Sequence, residues 1–347
     1  TGIVRDKQRR KMSKQLGNSP DALKLIEEYG ADSMRMGVLL STSAGNDILF
    51  DISQVEQGRN FCSKIWNAFR LIQSWNTIES PDQVNQLKFT NEWFTTRLNE
   101  VKMEVDQQFA DYRLNDALMH IYKLIWGDFC SWYLEMIKPN YGESIDASIK
   151  NQAILFFNEL MTLLHPFMPF ITEELNAASS TTSLAFTPYP QGSESNNSTS
   201  NNFMTLVSEI RNLRNQKKIG VKEMVDIIVI TQSAESYKGF EAVICKIAKV
   251  NNLAFNAELP EFYATSLAGK DEIFMPMDAS ANAAEEIEKA QEEIKYLQGF
   301  LKSVGAKLNN EKFVANANPA VVEKERQKQS DAELKIKSLQ VTLSKLQ

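Results

Sequence analysis

Two lysines separated by two residues, Lys11 and Lys14, are the side chains best placed for chemistry in this sequence. Met12 and Ser13 lie between them, and Gly17 follows in a polar segment whose composition favours a mobile loop. Two ammonium groups on such a loop can stabilise the negative charge that develops on a polyphosphate as it is cleaved. Charge runs are more often solvated surface, and a basic terminus without a chemical role is therefore the alternative interpretation.

The order of residue types around these lysines favours the first interpretation. Residues 11–15, Lys-Met-Ser-Lys-Gln, resemble the KMSKS signature loop of class I aminoacyl-tRNA synthetases, with Gln15 where the family usually has Ser. Residues 30–35 and 45–51 resemble the segments that follow this loop in the valine, isoleucine and leucine enzymes. The resemblance implies that residues 11–14 form an ATP-binding loop. It also implies that Lys11 and Lys14 stabilise the pyrophosphate leaving group, with ATP and Mg²⁺ as cofactors of the intact enzyme.

The composition is that of a globular protein of two or three domains: 347 residues, 43% hydrophobic and 24% charged. The net charge of −6 excludes a uniformly basic nucleic-acid-binding surface, so any RNA contact must use local basic patches. We find no membrane-spanning run and no signal peptide, and the chain begins with Thr1, so we expect a piece of a longer cytoplasmic protein. The three cysteines have no ligand spacing, which predicts reduced thiols and no metal site.

Several helices must position the loop. Ser19 with Pro20 at the first helical position predicts a helix over 20–29, Asp32 is expected to cap a second helix, and Asp51 a long third one. Apolar residues at helical spacing predict the remaining helices of a bundle over 91–109, 115–137 and 147–164.

The third helix contains the first set of candidate RNA-binding residues. Residues 58–68 resemble the helix that opens the anticodon-binding bundle of the same synthetases. Trp66 is expected to lie in the core, and the alternative for Asn67 is that it only satisfies neighbouring backbone groups. The candidate tRNA-binding residues of this helix are Arg59, Asn60, Lys64, Asn67 and Arg70.

The two histidines, His120 and His165, lie in apolar surroundings and are expected to be packed rather than catalytic. Neither forms a His-x-Gly-His motif, which supplies the other half of the active site in the family. We therefore expect this chain alone to be inactive, with no cofactor bound to it. Residues 128–135 and 164–175 also resemble the family and are expected to be architectural.

The region after the bundle begins with a polar, low-complexity segment over 191–202, which predicts a flexible linker. A helix is expected over 206–217. Within it, residues 210–214 resemble the Ile-Arg-x-Ile-Arg motif of valyl enzymes. This resemblance makes Arg211 and Arg214 further tRNA-binding candidates. A helix near 235–248 and β-rich runs at 225–230, 253–256, 264–267 and 273–276 predict a small α/β unit.

The last stretch has the strongest periodicity. Apolar residues recur every three or four positions from Ile287 to Leu308 and again from Ala332 to Leu346, which predicts an antiparallel coiled-coil hairpin. Residues 307–314 and 321–326 resemble the C-terminal arm of the valyl branch, which the isoleucine and leucine enzymes lack. Its tRNA-binding candidates are Lys302, Lys307, Lys312 and Arg326, and the alternative is that these cations only solubilise the arm.

Together these features predict a mainly α fold in which the end of a class I catalytic domain precedes an anticodon-binding helix bundle, a small α/β domain and a coiled-coil hairpin. The resemblance implies a C-terminal part of a valyl-branch synthetase, a monomer that binds valine-accepting tRNA and no membrane. A fragment of an isoleucyl or leucyl enzyme, and a non-enzymatic helical scaffold, remain as alternatives. The expected domains are 1–50, 51–190, a linker at 191–202, 203–279 and 280–347.

Overall fold

The computed structural model describes residues 2–42, 46–178, 180–193, 201–277, 294–305 and scattered positions between 326 and 340. Across these residues, the longest apolar helical stretches fall short of what a membrane crossing requires. The chain divides into two compact units, one of Thr1–Arg211 with Ser233–Val250 and one of Asn212–Gln232 with Asn251–Gln347.

The first unit begins with a short parallel strand pair, β1 (Val4–Arg5) and β2 (Ile48–Leu49), and two helices, α1 (Ala22–Tyr29) and α2 (Ala31–Leu40). The predicted cap of α1 was wrong. Asp21 rather than Ser19 caps the helix, because its carboxylate accepts a hydrogen bond from the backbone N–H of Leu23 at 3.0 Å. Helix α2 begins after Gly30, so Asp32 lies inside its first turn instead of capping it.

Two long helices form the centre of this unit: α3 (Ile52–Ser74) and α4 (Pro81–Ala110). The predicted cap of α3 is confirmed, since the Asp51 carboxylate accepts the backbone N–H of Ser53 at 2.9 Å. Helix α4 starts ten residues before the predicted position, because Pro81 occupies its first turn and residues 82–90 continue the helix. Strands β3 (Thr77–Ile78) and β4 (Ile145–Asp146) pair in parallel beside it.

Helices α2 and α3 approach closely through two glycines. A Cβ atom on Gly58 would lie 2.7 Å from the carbonyl oxygen of Ser33, and one on Gly37 would lie 2.8 Å from a Val55 methyl group. Both distances are shorter than real Cβ contacts allow, so the two positions require glycine for this packing.

The bundle is completed by α5 (Leu114–Lys123), a π-helical segment (Leu124–Tyr133), α6 (Leu134–Ile137), α7 (Ala147–Leu164) and α8 (Pro169–Ala177). The predicted helix over 115–137 is therefore present, but its centre has π geometry, which sequence periodicity does not reveal. The interior is aromatic, with ring centroids of Phe94, Tyr133 and Phe156 between 4.8 and 5.3 Å apart. The Tyr133 hydroxyl donates to Asn91 at 2.8 Å, which satisfies the one polar atom in this cluster.

The two ends of the predicted linker are packed, while residues 194–200 lie outside the described residues. A Cβ atom on Gly192 would overlap Met103, so the chain runs close against α4 here. The Asn201 side chain accepts a hydrogen bond from the Trp93 indole at 3.0 Å. These contacts fix the entry to α9 (Asn202–Gln216), which begins before the predicted position.

Helix α10 (Glu241–Ala248), preceded by a short 3₁₀ turn (Ala234–Tyr237), belongs to the same unit as the bundle. Phe240, at its start, stacks on Phe203 of α9 with ring centroids 4.4 Å apart. This placement differs from the predicted grouping of the helix with the strands, although the domain boundaries themselves stay predictions. The physical reason is the aromatic contact, which links residues far apart in sequence.

The second unit contains a four-stranded sheet in the order β6 (Val250–Phe255), β5 (Val225–Ile230), β8 (Asp271–Pro276) and β7 (Tyr263–Ala268). Strand β8 is antiparallel to both of its neighbours, with Ile273 opposite Val229 and Ser266. The four predicted strands are thus all present. One face is buried through Ile227, Val229 and Ile273.

The described residues of the predicted coiled coil are helical, over 294–305 and at positions between 326 and 340. Val304 and Ala332, which both occupy predicted apolar positions, are buried. The hairpin itself and its tip near 309–319, which lies outside the described residues, stay predictions. The structure thus confirms a mainly helical fold with small sheets.

Candidate functional site

The loop that bears Lys11 and Lys14 is anchored at both ends. Its start pairs with β1, where the backbone N–H of Met12 donates to the carbonyl of Val4 at 3.0 Å. The Met12 side chain packs against the cluster of Leu25, Phe50 and Val55, which joins α1 and α3. The loop therefore projects from a fixed base even though its own tip is polar.

Asn18 holds the far end of this loop. Its side-chain N–H₂ donates to the Asp6 carboxylate at 2.9 Å and to the carbonyl of Lys11 at 3.2 Å, while its oxygen accepts the backbone N–H of Ser13 at 2.9 Å. The hydrogen bond from Asn18 is the main reason that the pKa of Asp6 falls to about 2, with Arg10 contributing further. Asp6 is therefore ionised at neutral pH and can accept these bonds. We call these three contacts of Asn18 the loop latch.

The cations around the loop differ in whether they are paired. Arg5 pairs with Asp47, Lys7 with Asp51 at 3.0 Å, and Arg10 with Asp6 at 2.7 Å. Lys11 and Lys14 are exposed, and within the described part of the chain no carboxylate lies within ion-pair distance of either. Their two charges are consequently available to an anion, whereas those of Arg5, Lys7 and Arg10 are already neutralised.

The candidates on α3 fall into two groups. Asn60, Asn67 and Arg70 are exposed, and no side-chain partner is found for Arg70 among the described residues. The other two are held by aromatic rings: the Arg59 guanidinium lies 5.2 Å from the Tyr29 ring centroid, and the Lys64 ammonium 5.5 Å from that of Trp126. These cation–π contacts orient the side chains but leave their charge unneutralised.

Trp66 is not in the core, contrary to the prediction. The residue is 41% exposed, and it lies on the same face of α3 as Arg59 and Arg70. The core positions of this helix are Phe61, Ile65 and its neighbours at three- and four-residue spacing, and Trp66 follows Ile65 by one residue, which rotates it out of the buried stripe.

Arg214 has a structural role, so we withdraw it from the set of tRNA-binding candidates, whereas Arg211 is exposed and its assignment stays a prediction. The Arg211 guanidinium donates to the carbonyl of Ile247 at 2.9 Å, at the carboxyl end of α10. Arg214 is only 5% exposed and donates to the carbonyls of Gly220 and Glu223 at 2.8 and 2.7 Å. A guanidinium that is buried and bonded in this way does not reach a phosphate.

The candidates on the predicted arm are only partly described. Lys302 and Arg326 are helical and exposed, as a phosphate contact would require. Lys307 and Lys312 lie outside the described residues. Exposure alone does not separate an RNA contact from a solubilising charge, so these four assignments stay predictions.

The histidines and cysteines have structural surroundings. His120 Nδ1 lies 2.7 Å from the Glu104 carboxylate, and His165 Nδ1 lies 2.8 Å from the Thr172 hydroxyl. Burial raises the pKa of the Cys62 thiol to about 11 and that of Cys130 to about 12, so neither is a thiolate at neutral pH. No cluster of three potential metal ligands is found among the described His, Cys, Asp and Glu side chains.

Two segments predicted as separate elements contact each other directly. The Asp32 carboxylate accepts the backbone N–H groups of Ile171 at 2.6 Å and Phe170 at 3.3 Å, at the amino end of α8. Arg35 donates to the carbonyls of Phe167 and Pro166 at 2.9 and 3.0 Å. Asp32 therefore caps α8 rather than its own helix. Together, Asp32 and Arg35 connect α2 to the bundle.

Comparison with known proteins agrees with this geometry. The family model described as "tRNA synthetases class I (I, L, M and V)" matches residues 1–51, and "Anticodon-binding domain of tRNA ligase" matches residues 91–229. A third, "Valyl tRNA synthetase tRNA binding arm", matches residues 282–347. Two relatives named Valine--tRNA ligase, from Christiangramia forsetii and Porphyromonas gingivalis, are 42% and 45% identical over 100% of this chain and 40% of their own length.

The chain belongs to the valine--tRNA ligase family. A relative from Syntrophotalea carbinolica, also named Valine--tRNA ligase, is 33% identical over 99% of the chain and 41% of its own length. The chain thus spans about 40% of the length of the valine--tRNA ligases that it matches. The synthetase resemblance carried by residues 11–15 is confirmed, and the match to the valyl arm disfavours the isoleucyl and leucyl alternatives.

Proposed function

We propose that this chain is the part of a valine--tRNA ligase that binds tRNA and supplies the signature loop. The intact enzyme would join valine to its tRNA at the expense of ATP, and this chain alone would bind tRNA without catalysing the reaction. We further propose that it acts as a monomer in the cytoplasm. The observation that carries the proposal is that Lys11 and Lys14 are exposed and unneutralised on the latched loop, while Arg5, Lys7 and Arg10 beside them are paired.

The signature loop fits the phosphates of ATP in charge and exposure. ATP would supply the activated phosphoanhydride for adenylation, and Lys11 and Lys14 would bind the phosphates that leave. The latch at Asn18 would keep the two lysines on one short loop, so that their charges act on the same group. None of the described carboxylate clusters offers a ready site for Mg²⁺, so we assign no metal ligand to this chain.

The exposed face of α3 is the best-supported RNA-binding surface. Arg59, Lys64 and Arg70 give this helix three cations, and Glu56 is its only acidic residue. Exposed amides at Asn60 and Asn67 lie beside them and can bond to phosphates or base edges. A local cationic surface of this kind accounts for RNA binding by a chain whose net charge is −6.

A non-enzymatic scaffold is the second candidate function. A helical bundle with a long arm could bind proteins, and the overall acidity agrees with that role. A scaffold, however, has no use for two unneutralised lysines on a latched loop, and it would show no salt-sensitive affinity for tRNA.

The test is a titration of the purified chain with valine-accepting and isoleucine-accepting tRNA at 50 and 200 mM salt. We expect tighter binding of the valine tRNA that weakens steeply with salt, because phosphate contacts release counterions. Arg70→Gln should reduce affinity and the salt dependence, whereas Lys88→Gln, an equal charge change on an exposed position of α4, should not. Equal effects of the two substitutions, or salt-independent binding, would refute the assignment of α3 as the RNA-binding surface.

A further inference from the structure

Trp66 is the most exposed of the five tryptophans of the chain. Trp75 and Trp93 are buried and Trp126 and Trp132 are half-buried, whereas Trp66 is 41% exposed. An exposed indole presents a large apolar face on an otherwise polar stripe, and such a face can serve as a contact surface for a planar ligand.

The surroundings of Trp66 are cationic. Arg70 follows one helical turn later on the same face, and Arg59 precedes by two turns, with the polar Ser63 between them. At the end of the helix, Lys150 donates to the carbonyls of Gln73 and Trp75 at 3.2 and 2.7 Å, which adds a further positive charge. A polyanion is the partner whose charge complements this face.

The base of the indole is supported from below. The Trp66 ring lies 6.5 Å from Phe69, and Phe69 lies 5.7 Å from Phe157 of α7, so a row of aromatic rings leads from the surface into the core. Beside this row lies a small cavity of about 10 Å³ between α3 and α7, and its lining includes Gln73 and Asn158.

Trp126, a half-buried tryptophan near the candidate surface, already contacts two side chains. Lys64 lies over Trp126 at 5.5 Å, and the Tyr122 ring stacks against it with centroids 5.8 Å apart. An incoming base would have to displace one of these partners. Trp66 has no such partner on its outer face among the described residues.

We propose that Trp66 is a stacking platform for one unpaired base of the bound tRNA, with Arg70 contacting the adjacent phosphate. The inference rests on the proposed function, because it specifies how the α3 surface engages RNA. Bases without a pairing partner stack on exposed aromatic side chains, and the π-face of every base suits such a platform. The platform therefore contributes affinity for a splayed loop rather than for a duplex.

The first experiment compares Trp66→Ala, Trp66→Phe and Tyr141→Ala in binding to valine-accepting tRNA. Stacking of one base on an aromatic ring corresponds to about 5- to 150-fold in affinity, so we expect Trp66→Ala to weaken binding by about tenfold or more. Trp66→Phe keeps an aromatic face and should lose less than about threefold. Tyr141 is a fully exposed aromatic residue outside α3, and its replacement should change nothing. Urea unfolding of each variant verifies that the fold is retained.

The second experiment removes the base instead of the indole. A set of tRNAs, each with one abasic nucleotide in the anticodon loop, should contain one position at which the wild-type chain loses as much affinity as Trp66→Ala does. At that position Trp66→Ala should cause no further loss. An equal loss from Trp66→Ala on every abasic tRNA, or none on intact tRNA, would overturn the stacking role while the proposed function stands. Absence of tRNA binding by the wild-type chain would overturn both.

Discussion

The cap that Asp32 provides to α8 can be tested by removing its carboxylate. The first backbone N–H groups of a helix have no partner within the helix, and those of Phe170 and Ile171 are satisfied by Asp32 from a helix more than 130 residues away. In Asp32→Ala both donors lose this acceptor. Loss of an N-terminal cap costs about 0.5–2 kcal/mol, and a donor left without a partner adds to it, so we expect about 2 kcal/mol of destabilisation.

The assay is urea unfolding followed by tryptophan fluorescence. All five tryptophans lie between residues 66 and 132, inside the unit that contains the cap, so the signal reports on that unit. Asp82→Ala is the matched control, because Asp82 is an exposed aspartate in the first turn of α4. The control should cost less than about 1 kcal/mol. Equal stability of Asp32→Ala and the wild type would refute the capping role.

The pH dependence of stability provides a second, independent test of the surroundings of Asp32. Burial raises the pKa of Asp32, and the hydrogen bonds from Ile171 and Phe170 oppose that rise only in part. The folded state therefore binds a proton at Asp32 more readily than the unfolded chain does just above pH 4, and this protonation stabilises the fold. The stabilisation is lost as the pH rises through the pKa of Asp32 in the folded state. Asp32→Asn cannot titrate, so its stability deficit relative to the wild type should shrink as the pH rises from 4 to 7. A deficit that grows over this range would show that the pKa is lowered instead.

Two further predictions concern the glycine contact and the loop latch. Gly58→Ala should destabilise the bundle by about 1–3 kcal/mol in urea unfolding, because its Cβ would overlap the Ser33 carbonyl, whereas Gly127→Ala, with nothing within 4 Å, should not. The opposite ranking would show that the helices separate without cost. Asn18→Ala should raise the rate of tryptic cleavage within the signature loop several-fold without lowering the melting temperature, since three local hydrogen bonds are lost. An unchanged cleavage rate would mean that the latch does not restrain the loop.

Local signals in the sequence were sufficient for much of the fold. The Asp51 cap, the apolar stripe of α7 and the β-rich run 225–230 act over a few residues, and the structure confirms each element there. The signature loop was equally readable, because its residue types follow one another directly along the chain. Helix caps and apolar periodicity are determined by residues within three or four positions of one another. They can therefore be recognised without knowing which distant parts of the chain meet.

The errors arose where distant parts of the chain meet. Asp32 has the residue type of a cap for its own helix, but it faces α8, which no local rule indicates. Arg214 looks like a surface arginine by charge alone, yet carbonyls at Gly220 and Glu223 hold it in a buried position. Trp66 was assigned to the core because of its hydrophobicity, whereas its rotation relative to Ile65 directs it to solvent.

The position of α10 has a consequence for how the protein is made. Lys246 of this helix donates to the carbonyls of Met136 and Lys138, more than a hundred residues earlier in the chain. During synthesis the helices up to α8 emerge first, and the site that receives α10 stays uncovered until about residue 250 has left the ribosome. The nascent bundle must therefore remain partly open while the first strand of the sheet is being translated. Pausing of translation before α10 would prolong the exposure of Phe203 and its aromatic neighbours.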